Sequence, residues 1–195
     1  MTNVIILHGK PDKWEFYDEN VPIPSEDHWY SWIQKQLLIR DIKAVKPCVL
    51  RSFEAKYTDW VKEIEKTYID SETILVGHSA GGGFFLRWLS ENPQMRIKKL
   101  ILVAPWLDPL AFMKENFGHD LYDFEPDKDL LSRIGETIVF HSKTDMESIV
   151  KSLERIKEYW PDIEVREFED YGHFCKQSMT KSQFPELLEE ILTSV

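Results

Sequence analysis

Thr73-Ile74-Leu75-Val76-Gly77-His78-Ser79-Ala80-Gly81-Gly82-Gly83 is the stretch on which the reading of this chain turns. Its apolar run, Ile74-Leu75-Val76, has the length of a strand, stops at Gly77, and gives way to a helical pattern that starts at Phe84. Ser79 therefore stands at the tip of a strand, turn and helix, between residues small enough to let the two elements approach. A serine held there adopts a strained backbone conformation that pushes its Oγ out over the sheet edge. It also sits at a helix N-terminus, whose free N–H groups stabilise developing negative charge. The spacing Gly77-x-Ser79-x-Gly81 in this setting predicts a nucleophile elbow. The plainer alternative is a glycine-rich turn with Ser79 as an ordinary N-cap.

Working outward, strand and helix patterns alternate. Asn3 to Leu7 reads as a buried parallel strand at the centre of the sheet, delivering the loop His8-Gly9-Lys10-Pro11. Asp12 to Pro24 reads as a long loop. Ser25-Glu26-Asp27-His28 then offers caps for a helix with Trp29, Trp32, Ile33 and Leu37 on one stripe, which reads as core packing. Ala44 to Leu50 reads as a strand, and Pro47, which has no N–H to give, places it at an edge. Thr58 or Asp59 caps a helix bearing Trp60, Ile64 and Tyr68. After the elbow helix come strands at Leu100 to Val103, Thr137 to Phe140 and Ile163 to Phe168, with helices at Ile149 to Trp160 and Phe184 to Leu192. The pattern predicts one α/β domain over residues 1–195, a doubly wound parallel sheet with helices on both faces.

Residues 106–131 break the rhythm. Trp106, Phe112, Phe117 and Tyr122 stand there among Asp120, Asp123, Glu125, Asp127 and Asp129. The segment is too long for a plain connection and too aromatic for a disordered one, so it reads as a lid-like insertion over Ser79. Its four aromatics are candidates for the substrate pocket. Its carboxylates would make the mouth negative and disfavour anionic substrates. The alternative is that the aromatics only cap the core.

Ligands on parallel sheets bind beyond the carboxyl ends of the strands, which singles out the residues just after each strand. A serine hydroxyl is a weak nucleophile and needs a base that is itself oriented by an acid. His173, in Asp170-Tyr171-Gly172-His173-Phe174 after the last strand, is the candidate base, and Asp145 after the preceding strand the candidate acid. Serine, aspartate, histidine is the chain order of elbow-type hydrolases. Glu147 is an alternative acid. His78 reads as a packed or locally bonded ring, and His28 and His119 as histidines without partners. The oxyanion hole requires two backbone donors, for which Ala80 and Lys10 are the candidates, Gly9 standing behind Lys10. No metal-ligand spacing and no phosphate-binding glycine loop is found, so no cofactor is expected.

Bulk composition narrows the partners. With 24 Lys plus Arg against 34 Asp plus Glu, the net charge of −10 and the lack of a basic cluster argue against nucleic acid and anionic membrane. No apolar run has bilayer length, and the amino terminus lacks the basic start and cleavage site of a signal peptide. Two cysteines outside any Cys-x-x-Cys pair suit a reducing compartment, so a cytoplasmic protein acting on a small molecule is expected, with Cys48 buried and inert.

Gly77-His78-Ser79-Ala80-Gly81, the strand-end Asp145 and Tyr171-Gly172-His173-Phe174 together resemble the small α/β-hydrolases of the retinoblastoma-binding-protein-9 and YdeN type, over most of the chain. The resemblance implies a Ser79-Asp145-His173 triad, no metal, and hydrolysis of carboxylic esters. The chain departs from that family at Thr144-Asp145-Met146, where members often carry Asp-Asp-Pro, and in the acidic, aromatic stretch that follows Lys10. Two readings compete: a serine hydrolase cleaving a small ester or related acyl compound through an acyl-enzyme, or a binding protein on a hydrolase fold.

Overall fold

The computed structural model describes residues 2–107, 119–179 and 181–195. Six strands, β1 (Asn3–Leu7), β2 (Lys43–Val45), β3 (Thr73–His78), β4 (Ile97–Val103), β5 (Ile134–Ser142) and β6 (Glu164–Phe168), form one sheet. Its order is β2-β1-β3-β4-β5-β6 and every pairing is parallel. Successive residues of a strand face opposite sides, and all six of β3 are buried, so both faces of the sheet are covered. The cover comes from helices α1 (Lys13–Tyr17), α2 (Tyr30–Leu38), α3 (Tyr57–Ile64), α4 (Ala80–Glu91), α5 (Glu147–Tyr159), α6 (Lys176–Met179) and α7 (Pro185–Leu192), with α2 against α7 and α3 against α4. This is the doubly wound parallel sheet expected from the alternation of patterns, and the α/β-hydrolase fold that the resemblance implied.

Several details differ from the sequence reading, each for a physical reason. β1 lies one strand in from the edge, while β3 and β4 hold the centre. β2 does end the sheet, but its ladder stops at Val45, two residues before Pro47, so Cys48 falls outside the sheet and is only half-buried. α1 interrupts the expected loop. Its signal was a capping box, Asp12-x-x-Glu15, in which the Asp12 N–H donates to Glu15 Oε2 at 2.9 Å. α2 is led by Trp29 with no side-chain cap, and α3 by Lys56, whose N–H donates to Asp59 Oδ2. Tyr68 lies beyond α3 and is exposed.

Phe112 and Phe117 lie outside the described residues. The described parts of the insertion are tied into the body of the domain. Trp106 and Tyr122 are buried with ring centroids 5.4 Å apart, the Tyr57 N–H at the start of α3 donates to Asp120 Oδ2, and Trp160 Nε1 donates to the Asp127 carbonyl. Asp127 is also paired with Arg133.

Candidate active site

Because all six strands run the same way, the loops after β1, β3, β4, β5 and β6 converge on one edge. The turn after β3 is tight. A Cβ on Gly77 would stand 2.7 Å from Gly82 Cα, so only glycine lets strand and helix meet there. Ser79 takes φ 52° and ψ −118°, a region that costs a non-glycine residue free energy and persists only where the surroundings enforce it. Here they do: its N–H donates to the Val103 carbonyl, and its own carbonyl accepts from the N–H groups of Gly82, Gly83 and Trp106. The Ser79 hydroxyl makes no cap bond to α4. Instead Oγ lies 2.9 Å from Nε2 of His173.

His173 reaches Ser79 from the loop after β6. Its Nδ1 lies 2.9 Å from Oδ1 and 3.2 Å from Oδ2 of Asp145. A carboxylate only accepts, so Nδ1 carries the proton and the Nε2 lone pair is left to receive one from Ser79. Asp145 follows β5, has a fully buried side chain, and also accepts from the Met146 N–H at 2.7 Å. The two loops are held in register by Ser142 Oγ, which accepts from the Tyr171 N–H, and by Thr144 Oγ1, which accepts from the Gly172 N–H. Glu147, the other acid weighed, is 82% exposed and paired with Lys151.

The two backbone donors expected for an oxyanion hole lie beside the serine. Ala80 opens α4. The chain before Lys10 passes close enough that a Cβ on Gly9 would stand 3.0 Å from Ser79 Cβ. Neither the Ala80 nor the Lys10 N–H donates to another group among the described residues. His8 supports this loop from beneath: its Nε2 accepts the Val49 N–H at 3.0 Å and its Nδ1–H donates to the Gly9 carbonyl at 2.6 Å. Burial pushes the His8 imidazole down to about 4, so it stays neutral. Burial also lowers the Lys10 ammonium to about 8, an effect partly offset by the charge of Asp120. The Cys175 thiol is pushed up to about 12, chiefly by burial and then by the Asp145 and Asp27 charges, so it offers no thiolate to compete with Ser79.

A cavity of about 450 Å³ opens onto Ser79 and His173. Its walls come from the segment between β1 and α2, with Trp14, Phe16, Val21, Pro22 and His28 among them, and Lys10 at the side. Trp106 and Tyr122 do not line it, which corrects the expected pocket wall for these two residues: they are buried in the body of the domain, Tyr122 over α4. None of the five insertion carboxylates lines it either, although the charge of Asp120 acts on Lys10; the carboxylates in the wall are Glu15 and Asp27. His28, read as partnerless, sits in this wall with its N–H on Asp27 Oδ1 and its Nδ1 3.4 Å from Asp27 Oδ2. The His119 side chain lies outside what is described. The missed wall had a signal in Trp14 and Phe16, which follow the candidate oxyanion loop directly. His78 is bonded, but to distant groups: its Nδ1 is 2.5 Å from Tyr30 Oη and its Nε2 is 2.9 Å from the His173 carbonyl.

Among the described residues no group of three or more His, Cys, Asp or Glu side chains could hold a metal ion, and no helix is long and apolar enough to cross a membrane. No curated protein matches the chain closely enough to count as a relative. Among solved structures it is similar to the ydeN gene product of B. subtilis, at 19% identity and a TM-score of 0.79, covering 100% of this chain and 98% of that one. It is also similar to a putative YdeN-like hydrolase of Pectobacterium atrosepticum (17% identity, TM-score 0.65, 99% and 90% covered) and to Est1E of Butyrivibrio proteoclasticus (13%, 0.65, 99% and 88%). These likenesses establish the fold. The family model described as serine hydrolase matches residues 24–191, from before α2 through nearly all of α7, and the chain belongs to that family.

Proposed function

We propose that this hydrolase cleaves a small carboxylic ester or related acyl compound through an acyl-enzyme on Ser79. The observation that carries the reading is the unbroken hydrogen-bond series Asp145, His173, Ser79 at a serine whose strained backbone is fixed on all sides. In this reading His173 Nε2 takes the Ser79 proton as Oγ bonds to the acyl carbon, and Asp145 stabilises the resulting imidazolium. The carbonyl oxygen, now negative, is received by the free N–H groups of Ala80 and Lys10. Collapse expels the alcohol, which takes the proton from His173. Water then attacks the acyl-enzyme by the same route and releases the acid. A cavity of about 450 Å³, walled mainly by apolar side chains, fits a substrate of modest size.

A fluorophosphonate probe tests the reading. It is expected to label the protein once, at Ser79, and labelling is expected to vanish in Ser79→Ala. A folded protein that never labels, and turns over no p-nitrophenyl ester from short to long acyl chain, would instead be a binding protein on a hydrolase fold.

A further inference from the structure

The loop that carries His173 is held in a conformation that its own sequence resists. Gly172 has φ 47° and Phe174 φ 54°, so the histidine sits between two left-handed residues, and the second of them is a phenylalanine. Two consecutive carbonyls of this loop, those of His173 and Phe174, each accept a hydrogen bond that traces back to neighbouring residues at the start of α2. Trp29 Nε1 donates directly to the Phe174 carbonyl at 3.0 Å. Tyr30 acts through His78. Nε2 of His78 faces a carbonyl, which only accepts, so Nε2 carries the hydrogen and the Tyr30 hydroxyl donates to Nδ1. The series has one consistent direction, Tyr30 O–H to His78, then His78 N–H to the His173 carbonyl. Trp29, Tyr30 and His78 are all essentially buried, and Tyr30 and His78 also line the cavity that opens onto Ser79. Burial, with the neighbouring His173 and His28 rings, keeps His78 neutral well below the ordinary histidine range, so the direction does not reverse on mild acidification.

We propose that Trp29, Tyr30 and His78 are positioning residues for His173, a strut from α2 through the elbow that holds the imidazole within reach of both Ser79 and Asp145. The inference rests on the proposed role of His173 as the base. The elbow supplies both the nucleophile and, one residue earlier, the support for its base. Movement of the His173 backbone by an ångström would lengthen both 2.9 Å contacts of the ring, and displacements of that size cost rate rather than substrate affinity.

The test compares Tyr30→Phe, His78→Leu and His78→Gln with the parent protein. Tyr30→Phe removes one hydroxyl and His78→Leu the whole donor; each is expected to lower kcat for a p-nitrophenyl ester by about tenfold or more with KM changed less than about twofold. His78→Gln, whose amide N–H can reach the same carbonyl, is expected to recover most of that loss. The second readout needs no turnover. The His173 Nδ1 proton, shared with Asp145, is expected as a far-downfield proton resonance in the parent and in His78→Gln, and to be broadened or lost in Tyr30→Phe and His78→Leu. Should His78→Leu fail to fold, Tyr30→Phe against His78→Gln carries the comparison alone. Unchanged kcat, a change in KM only, a glutamine no better than leucine, or an unaltered Nδ1 resonance in Tyr30→Phe would each overturn the strut. A parent protein that shows the resonance but hydrolyses no ester would remove the proposed activity, while the resonance in the variants would still decide the strut.

Discussion

Replacing Ser79 by alanine and by glycine separates the chemistry of this residue from its backbone strain. Both variants lose the hydroxyl and its bond to His173 Nε2, so that contribution cancels in the comparison. What remains is the backbone at φ 52° and ψ −118°, which alanine must still adopt against its Cβ and glycine adopts freely. Strain of this kind is worth about 1–3 kcal/mol, and the extra freedom of glycine in the unfolded chain takes back about 0.5–1 kcal/mol. Glycine is therefore expected to be the more stable variant by about 1–2 kcal/mol, in the direction in which glycine already outranks alanine at an N-cap. For a domain of this size that corresponds to a difference of about 2–8 °C in Tm. Urea unfolding followed by tryptophan fluorescence, with a calorimetric scan of each variant, measures it. Both variants should lack esterase activity and fluorophosphonate labelling. A glycine variant equal to or less stable than the alanine one would refute the claim that the elbow stores strain at Ser79.

Asp145→Asn is expected to reduce kcat by on the order of 10⁴-fold, because an amide cannot hold the Nδ1–H tautomer or stabilise the imidazolium, while Glu147→Gln stays near the parent; steady-state kinetics on one ester with both variants decides between the two acids. His8 contributes to the acid limb of the stability profile, alongside His28, His78 and His141, which burial also lowers. Its imidazole is held at about 4 in the fold and returns to about 6.5 when unfolded, so between those values the unfolded chain binds the extra proton. The stability is complete above pH 6.5 and falls as pH drops through the window, by on the order of 3 kcal/mol; urea midpoints at pH 7, 5.5 and 4 should show a flatter limb in His8→Gln. Among the described residues the buried Tyr122 hydroxyl has no hydrogen-bond partner, so Tyr122→Phe is expected to leave kcat/KM unchanged and to be neutral or stabilising by up to about 1 kcal/mol. Phe16→Ala, which enlarges the wall of the cavity, should shift the preferred acyl chain length among p-nitrophenyl esters; an unchanged chain-length profile would remove Phe16 from the substrate side.

Much of this arrangement was legible in the sequence because its causes are local. Apolar runs of strand length alternating with helical stripes can be satisfied only by a sheet covered on both faces, and Gly77-x-Ser79-x-Gly81 between such patterns leaves the backbone one sharp turn to make. The candidates Ser79, Asp145 and His173 each follow a strand, and a parallel sheet brings strand ends together whatever the order of the strands. Even the box that starts α1, Asp12 and Glu15, is written three residues apart.

What the tertiary structure alone decided is how residues distant in the chain share space. β1 lies one strand in from the edge and not at the centre, because strand order depends on pairings between segments dozens of residues apart. Aromatic content alone could not tell a pocket wall from a core: Trp106 and Tyr122 look like Trp14 and Phe16 in composition, yet the first pair is buried in the body of the domain and the second faces the cavity. The bonds that tie Trp29 to Phe174 and Tyr30, through His78, to His173 join residues 145, 48 and 95 positions apart, and no periodicity encodes them. They exist because the packing of α2 brings its first residues against the elbow and the His173 loop, where most buried polar groups are hydrogen-bonded.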